Sequence, residues 1–281
     1  MRTHFAYSPD GTRIAYDVTG SGPALMLLHG AGKTRKDWYE IGYVERLKEE
    51  YTVIAVDIRG SGKSDFLTDV SDYKIEKICA DLDAVADACD IQDFAVWGFS
   101  FGGNIARYLG AWSNRVKAIA VIGVPFGPAV DDVFDQFIDE FIDKYGPLAQ
   151  EYNEGKLSGT KRKSAIKGGI PVWTACFQAM RHWPKVDPGD ISCPMLLLSG
   201  TENKNVMDWI KLNQEALDRA RCRVEIIEGL THQQEFSQME QIYPAVSSFL
   251  REWVESQFKV VLGKVFSSVS NILVVISVQH G

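Results

Sequence analysis

The sequence predicts an α/β protein: a mostly parallel sheet with helices on both faces and an inserted helical cap. Six short apolar runs indicate strands that are buried on both faces, which is typical of a parallel sheet. Amphipathic helical segments alternate with these runs, and a chain of 281 residues is long enough to bury a sizeable core. The predicted strands are Ala24 to Leu28, Thr52 to Val56, Phe94 to Trp97, Ala118 to Ile122, Met195 to Leu198 and Val224 to Ile227.

An antiparallel hairpin is predicted at the start of the chain. Residues Thr3 to Ser8 and Thr12 to Val18 alternate in hydrophobicity on either side of the turn Pro9-Asp10-Gly11. Further along, apolar residues at helical spacing predict helices between the strands and after the last one. They are Ile75, Ile78, Leu82, Val85 and Cys89; Ile105, Leu109 and Trp112; Val206, Ile210, Leu212 and Leu217; and the segment Tyr243 to Trp253.

A mostly helical cap is predicted at residues 125–190, where the alternation of strands and helices stops. Two amphipathic helices, one from Phe134 to Tyr145 and one from Val172 to Trp183, flank a polar stretch from Asn153 to Gly169. The core domain then comprises residues 1–124 and 191–257. Residues 258–281 form an apolar tail with no role in this fold, and a homodimer contact is one candidate role for it.

The composition and charge of the chain limit the classes of partner that it can have. Apolar residues make up 46% and charged residues 24% of the chain, as in soluble globular proteins. The formal net charge of −7 disfavours a nucleic-acid partner, and no segment before Val260 approaches the length of a membrane span. Five widely spaced cysteines without a C-x-x-C pair indicate a reducing compartment and no structural zinc. We therefore expect a cytoplasmic protein that acts on a small molecule without a metal or organic cofactor.

The strongest motif is Gly98-Phe99-Ser100-Phe101-Gly102-Gly103, which lies between a predicted strand and a predicted helix. Glycines on either side of a serine allow a sharp turn that exposes the hydroxyl group, as in the G-x-S-x-G nucleophile elbow. Ser100 is therefore the candidate nucleophile.

An oxyanion hole is predicted from the loop Leu28-His29-Gly30-Ala31-Gly32, which follows the first parallel strand. Acyl transfer needs backbone N–H groups directed at the developing negative charge. The residue after the nucleophile supplies one such group and this loop supplies another. Ala31 and Phe101 are the predicted donors, and His29 is interpreted as a structural histidine.

His232 is the candidate general base. It lies in Glu228-Gly229-Leu230-Thr231-His232, directly after the last predicted strand. A loop at the carboxyl end of that strand lies at the same sheet edge as Ser100. A serine hydroxyl is a weak nucleophile until an adjacent base removes its proton, and this histidine is suitably placed to do so.

Together these motifs resemble the α/β-hydrolase fold superfamily from Thr3 to about Gln257. The stretch Asp57 to Asp65 resembles a recurrent D-x-R-G-x-G-x-S-D loop of that family. The resemblance implies a structural loop braced by Arg59, Ser64 and Asp65. A serine nucleophile argues against the dehalogenase and epoxide hydrolase branches, which use an aspartate at that position.

The sequence departs from the family pattern where the third member of the catalytic triad is expected. After the strand that begins at Met195, Asn203 stands where family members carry an aspartate. Asn203 is the candidate for that triad-acid position, since an asparagine can orient a histidine but carries no charge to stabilise imidazolium. It can instead mark a disabled enzyme, or Glu202 or Asp208 can supply the carboxylate. The three interpretations stay open at this stage.

These residues predict a serine hydrolase of the esterase type, with activity attenuated if Asn203 replaces the acid. The expected substrate is a small, largely apolar ester, thioester or lactone, and carbon–carbon cleavage is also compatible with the site. Candidate pocket residues are Phe99, Phe126, Trp173 and Phe177. The alternative is a ligand-binding or receptor-like protein of the same fold with a weakened triad.

Overall fold

The computed structural model describes residues 2–256. The predicted tail, residues 258–281, lies outside this range. Within residues 2–256, no helix combines the length and the apolar character that crossing a bilayer requires.

In the part of the chain that the structure describes, eight strands form one mixed sheet in the order β1-β2-β4-β3-β5-β6-β7-β8. Strands β1 and β2 pair antiparallel, as do β2 and β4, and the remaining pairs are parallel. This arrangement confirms the predicted opening hairpin and the mostly parallel sheet. The strands are β1 (His4–Tyr7), β2 (Arg13–Thr19), β3 (Ala24–Leu28), β4 (Thr52–Val56), β5 (Phe94–Phe99), β6 (Val116–Ile122), β7 (Met195–Gly200) and β8 (Arg223–Ile227).

Helices cover both faces of this sheet. They are α1 (Arg35–Glu40), α2 (Tyr43–Leu47), α3 (Ile75–Ala88), α4 (Phe101–Trp112), α5 (Asp132–Asn153), α6 (Gly159–Lys167), α7 (Ile170–Met180), α8 (Lys204–Arg219) and α9 (Gln234–Ser237), followed by α10, described over 239–256. The predicted helices are present, but two residues do not belong to the buried stripes predicted for them: Leu212 in α8 is 85% exposed and Trp112 at the end of α4 is 46% exposed.

The core consists of two apolar layers, one on each face of the sheet. Along β3, Leu25 and Leu27 pack into the layer that includes α1, α2 and α10, whereas Met26 and Leu28 pack into the layer beneath α3, α4 and α8. Successive side chains of a strand point to opposite faces. A central strand buried on both faces therefore appears in the sequence as a continuous apolar run, which is why such runs predicted these strands. The expectation of burial on both faces is wrong for β8, which lies at the edge of the sheet and has no fully buried residue.

Three helices, α5 to α7, lie between β6 and β7 in the segment predicted to be the cap. Helix α7 packs on the body of the fold, where Trp183 just beyond it donates from Nε1 to the backbone oxygen of Tyr73 at 2.9 Å. Helix α6 occupies part of the polar stretch in which no helix was predicted. Its mean hydropathy is low and only Ala165 is buried, so it offers no apolar stripe for sequence analysis to detect.

The loop after β4 is braced in the way the resemblance implies. Nε and Nη2 of Arg59 donate to the two carboxylate oxygens of Asp81, each at 2.6 Å. The Ser64 hydroxyl donates to the backbone oxygen of Asp57 at 2.6 Å, and Asp65 accepts from the backbone of β2 at 2.9 Å. These contacts join the hairpin to the parallel part of the sheet, and none of the residues that make them lines the cavity at Ser100.

Candidate active site

Ser100 occupies a strained turn between β5 and α4. Its backbone has φ 53° and ψ −115°, a conformation that non-glycine residues rarely adopt. Two glycines make room for this turn. A Cβ at Gly98 would lie 2.2 Å from the backbone oxygen of Gly102, and a Cβ at Gly102 would lie 2.2 Å from that of Leu28. The close packing of strand, turn and helix holds the serine hydroxyl at the carboxyl edge of the sheet.

His232 faces Ser100 from the turn after β8. Its Nε2 lies 2.9 Å from the Ser100 Oγ, and its ring stacks on Phe99 with centroids 5.1 Å apart. The other ring nitrogen, Nδ1, lies 2.9 Å from Oε2 of Glu235. An ionised carboxylate only accepts hydrogen bonds, so Nδ1 carries the hydrogen and Nε2 is free to accept from the serine hydroxyl.

Glu235 is a carboxylate that sequence reasoning missed. Its side chain is fully buried. Besides His232, its Oε1 accepts from the Ser199 hydroxyl at 2.9 Å and from the Gly200 amide at 2.7 Å. Hydrogen bonds of this kind stabilise a buried carboxylate and fix its direction.

Asn203 contacts the carboxylate rather than replacing it. Its Nδ2 donates to both oxygens of Glu235 at 3.0 Å and to the backbone oxygen of Gly123 at 3.2 Å. The same nitrogen lies 3.3 Å from Nδ1 of His232, and an amide nitrogen cannot accept a hydrogen bond from it. The expectation that Asn203 orients the histidine is therefore wrong in this geometry.

The two alternative carboxylates do not reach the histidine either. Glu202 is exposed, and Asp208 is exposed and pairs with Lys211 at 3.2 Å. Both lie on the segment after β7, where the family pattern directed the search. The carboxylate that does reach His232 comes instead from the segment after β8.

One sequence signal points to Glu235. It follows His232 by three residues, just where the chain turns into α9, and residues at this spacing lie on one side of a helical turn. The structure adds a reason at Gly123, which follows β6 directly with φ +78°. A Cβ there would lie 2.4 Å from Oε2 of Glu235 and 2.9 Å from Nδ1 of His232, so glycine leaves the space that the pair occupies.

The predicted oxyanion donors line the same cavity as Ser100 and His232. Neither Ala31 nor Phe101 donates its amide hydrogen to a protein acceptor within residues 2–256. Phe101 is the first residue of α4, and the first amides of a helix have no partner within that helix. Both amides are thus available to a ligand oxygen.

His29 is structural in this arrangement. It is fully buried; its Nδ1 donates to the backbone oxygen of Gly30 at 2.9 Å and its Nε2 accepts from the Ile58 amide at 3.1 Å. Burial lowers the pKa of His29 and keeps the ring neutral. Both nitrogens are occupied, which leaves none for proton transfer.

A cavity of about 870 Å³ opens above Ser100. Of the four predicted pocket residues, Phe99 and Phe177 line it. Phe126 and Trp173 do not: both are buried in the core behind the wall, where Trp173 packs on Phe101 and Phe177. Phe134, Phe137 and Met180, from the same inserted segment as Phe177, also belong to the wall.

The residues that line the cavity differ in exposure. Ala129, Phe177 and Met180 are each less than a tenth exposed. Gln233 and Ser237, which follow His232, are exposed. Within residues 2–256, no group of three or more His, Cys, Asp and Glu side chains is arranged to hold a metal ion.

Comparison with known proteins identifies the fold. A sequence model of the alpha/beta hydrolase fold family matches residues 23–164, just over half of the chain. A solved structure described under novel epoxide hydrolases from metagenomes of hot environments superimposes with a TM-score of 0.70 at 18% identity, over 89% of this chain and 98% of that one.

Two curated relatives have higher sequence identity to the chain than that structure but match a smaller share of it. Bifunctional epoxide hydrolase 2 of Sus scrofa is 29% identical over 128 residues, which is 44% of this chain and 22% of the pig protein. The chain thus spans less than a quarter of that relative. A putative non-heme chloroperoxidase of Synechocystis sp. is 25% identical over 272 residues, which covers 85% of this chain and 95% of that protein.

Proposed function

The chain belongs to the alpha/beta hydrolase fold family, and from that premise we propose that it is a serine hydrolase acting by two-step acyl transfer. One observation carries the proposal. Ser100, His232 and Glu235 form a continuous line of hydrogen bonds, with 2.9 Å between serine and imidazole and 2.9 Å between imidazole and carboxylate. This is the connectivity that activates a serine hydroxyl.

In the first step, Nε2 of His232 takes the proton of Ser100 as Oγ attacks the substrate carbonyl carbon. The carbonyl oxygen becomes an oxyanion and accepts from the amides of Ala31 and Phe101. When this intermediate collapses, the imidazolium gives its proton to the leaving oxygen, and an acyl-serine remains. In the second step water attacks the acyl carbon, His232 accepts its proton, and the acid leaves as Ser100 regains its hydrogen.

Glu235 stabilises the imidazolium that forms in each step. No arginine or lysine lies within ion-pair distance of this carboxylate in the described part of the chain. Its negative charge is therefore not neutralised before the reaction begins. Asn203, Ser199 and Gly200 hold the carboxylate as neutral donors, so the charge acts on His232.

The shape of the cavity favours an ester with an apolar acyl group. The leaving alcohol departs before the acyl group does, so we assign it to the exposed lining at Gln233 and Ser237. The acyl group is then assigned to the buried lining, against Phe177 and Met180. Small apolar esters, thioesters and lactones fit this division.

Epoxide hydrolysis does not follow from the likeness to epoxide hydrolases. Attack by Oγ of Ser100 on an epoxide carbon would leave an ether on the enzyme. An ether has no carbonyl carbon for water to attack, so the enzyme would not turn over. The resemblance to those proteins therefore supports the fold and not their reaction.

A second candidate activity is suggested by the chloroperoxidase name of the Synechocystis relative. Hydrogen peroxide is a nucleophile like water, and in its place it would release a peroxy acid from the acyl-serine. A peroxy acid oxidises halide in solution. Halogenation that requires both peroxide and a carboxylic acid, and that disappears in Ser100→Ala, would support this candidate; halogenation that persists in Ser100→Ala would refute it.

The main proposal is tested with a fluorophosphonate probe and a series of p-nitrophenyl esters. Wild type is expected to be labelled and to hydrolyse the esters, while Ser100→Ala is expected to lose both. Ser71→Ala, at an exposed serine away from the cavity, is the matched control and should behave as wild type. If folded wild type is neither labelled nor active but binds small esters, the ligand-binding alternative replaces the hydrolase proposal.

A further inference from the structure

The helix that begins after Ser100 carries a buried arginine that the mechanism does not use. Arg107 is fully buried, and no carboxylate in residues 2–256 lies within ion-pair distance of it. Its Nη1 donates to the backbone oxygens of Pro125 at 2.5 Å and Gly127 at 3.4 Å, and its Nε has no partner. Burial lowers its pKa to about 10, so the group remains cationic at neutral pH.

The remaining contact of Arg107 fixes the side chain of Asn104. Nη2 of Arg107 donates to Oδ1 of Asn104. With Oδ1 held by a cation, the amide cannot turn over, and its Nδ2 is directed away from the arginine. Asn104 lies one helical turn after Ser100, since its backbone amide donates to the Ser100 oxygen at 2.9 Å.

The Nδ2 group of Asn104 faces the cavity without a protein partner. The residue is 7% exposed and lines the cavity, and its Nδ2 donates to no acceptor within residues 2–256. The Nδ2 atom is not completely buried. Because the residue lines the cavity, a ligand reaches this atom from the cavity. A donor left unpaired inside an apolar pocket costs free energy unless a ligand satisfies it.

Two other asparagines line the same cavity, and both are already engaged. Asn203 donates from Nδ2 to Glu235, and Asn205 donates from Nδ2 to Asp131 at 2.7 Å. Among these three amides, Asn104 is therefore the one whose donor is available to a ligand. It is also the one with a cation behind it, which polarises the amide and strengthens it as a donor.

We propose that Asn104 recognises a second carbonyl oxygen on the acyl group, so that the substrates are oxoacyl esters. This inference rests on the proposed hydrolase function. Nδ2 only donates, so its ligand atom is an acceptor. The residue is buried one helical turn from Ser100, and it belongs with Phe177 and Met180 to the buried lining to which we assign the acyl group. Lys33 also lines the cavity, but no lysine or arginine is among the lining residues that are less than a tenth exposed, so a neutral carbonyl is favoured over a carboxylate there.

The experiment compares p-nitrophenyl esters of oxoalkanoic acids, with the second carbonyl at successive carbons, with alkanoate esters of equal length. The key variant is Asn104→Asp. It keeps an oxygen for Arg107 and the shape of the side chain but replaces the donor with an acceptor. At the best carbonyl position, the oxoacyl-to-alkanoyl ratio of kcat/KM is expected to fall about tenfold from wild type to Asn104→Asp, as for one lost hydrogen bond.

Comparing this ratio between proteins cancels the different chemical reactivity of the two esters. Asn104→Leu is the second variant and should lower the ratio to a similar extent. Asn205→Ala, at a cavity amide that is already engaged, should leave the ratio unchanged. If every variant keeps the wild-type ratio while the esters are still hydrolysed, this inference is wrong and the hydrolase proposal stands.

Binding to Ser100→Ala separates the two proposals when no ester is turned over. Calorimetry with the methyl esters of the same acids is expected to give about tenfold tighter binding of the oxoacyl ester. That preference should vanish when Asn104→Asp is added to Ser100→Ala. Equal binding of both esters to Ser100→Ala would overturn the role of Asn104 regardless of activity.

Discussion

The loop after β4 and the turn after β8 both bury carboxylates, but they pair them with opposite partners. Near the first, Arg59 donates to both oxygens of Asp81, and the buried Arg35 pairs with Asp17 and Asp57. In the second, Glu235 is equally buried but receives only neutral donors and the imidazole of His232. In the first region each buried carboxylate is paired with an arginine, whereas in the second the carboxylate of Glu235 has no cationic partner.

This difference indicates how the fold divides structure from chemistry. A carboxylate paired with a guanidinium acts weakly on any third group, because the two charges nearly cancel outside the pair. Its contribution is to position the loop. A carboxylate held by an amide, a hydroxyl and a backbone N–H keeps its full charge, and the group beside it feels that charge in a low-dielectric environment. Only the second arrangement stabilises an imidazolium that forms and disappears during a reaction.

The largest expected effect on kcat comes from removing the negative charge of Glu235. Glu235→Gln keeps the side-chain shape but cannot stabilise imidazolium or enforce the Nδ1–H tautomer, so kcat should fall by about three to four orders of magnitude. The loss of kcat is measured with p-nitrophenyl esters, and Glu202→Gln, at an exposed glutamate, is the matched control. Loss of similar size in Glu202→Gln, or near wild-type activity in Glu235→Gln, would remove Glu235 from the mechanism.

Breaking the buried ion pair between Arg59 and Asp81 should lower the stability of the protein and leave catalysis unchanged. Arg59→Met leaves Asp81 buried without its cation, which costs about 3–5 kcal/mol of unfolding free energy. The activity per folded molecule should stay near that of wild type, because neither Arg59 nor Asp81 lines the cavity at Ser100. Urea unfolding followed by active-site titration separates the two quantities. Arg219→Met, which breaks an exposed pair with Glu215, should change neither appreciably. A large drop in kcat per labelled Arg59→Met molecule would contradict the inference that the Arg59–Asp81 pair serves stability and not catalysis.

The strands, the nucleophile and the base were predictable because each depends on local sequence. Strand β3 is apolar at every position, and the turn at Ser100 needs glycines at fixed distances from it. His232 follows the last strand directly. In each case the deciding neighbours are a few residues away along the chain, so pattern and sterics suffice.

The acid was not predictable in the same way because its site is assembled from four segments. Glu235 depends on the space left at Gly123, on donors at the end of β7 and on Asn203. No short motif encodes that convergence. The prediction of the pocket residues was partly wrong for a related reason. Aromatic residues at helical spacing, such as Trp173, give the same sequence pattern whether they face the core or the cavity.

Adding a second carboxylate beside Glu235 should lower activity by a smaller amount. Asn203→Asp removes a donor to Glu235 and sets two carboxylates at hydrogen-bond distance, where they cannot both stay ionised without mutual repulsion. They would share a proton, and the charge acting on His232 would be less well directed. Activity is expected to fall about ten- to a hundredfold, in contrast to the gain expected if Asn203 were a defective acid. A clear gain in kcat would restore that interpretation.

The smallest effect is a partial rescue by exchanging the two groups. In Asn203→Asp combined with Glu235→Gln, the carboxylate introduced at position 203 lies where Nδ2 is now 3.3 Å from Nδ1 of His232. The glutamine amide can then donate to it, so charge and donor have changed places. The new distance is longer than the native 2.9 Å, and the Ser199 and Gly200 donors no longer hold the charged group. We therefore expect about a tenfold gain in kcat over Glu235→Gln alone, well below wild type. Strict additivity of the two single losses would mean that position 203 cannot deliver its charge to the imidazole.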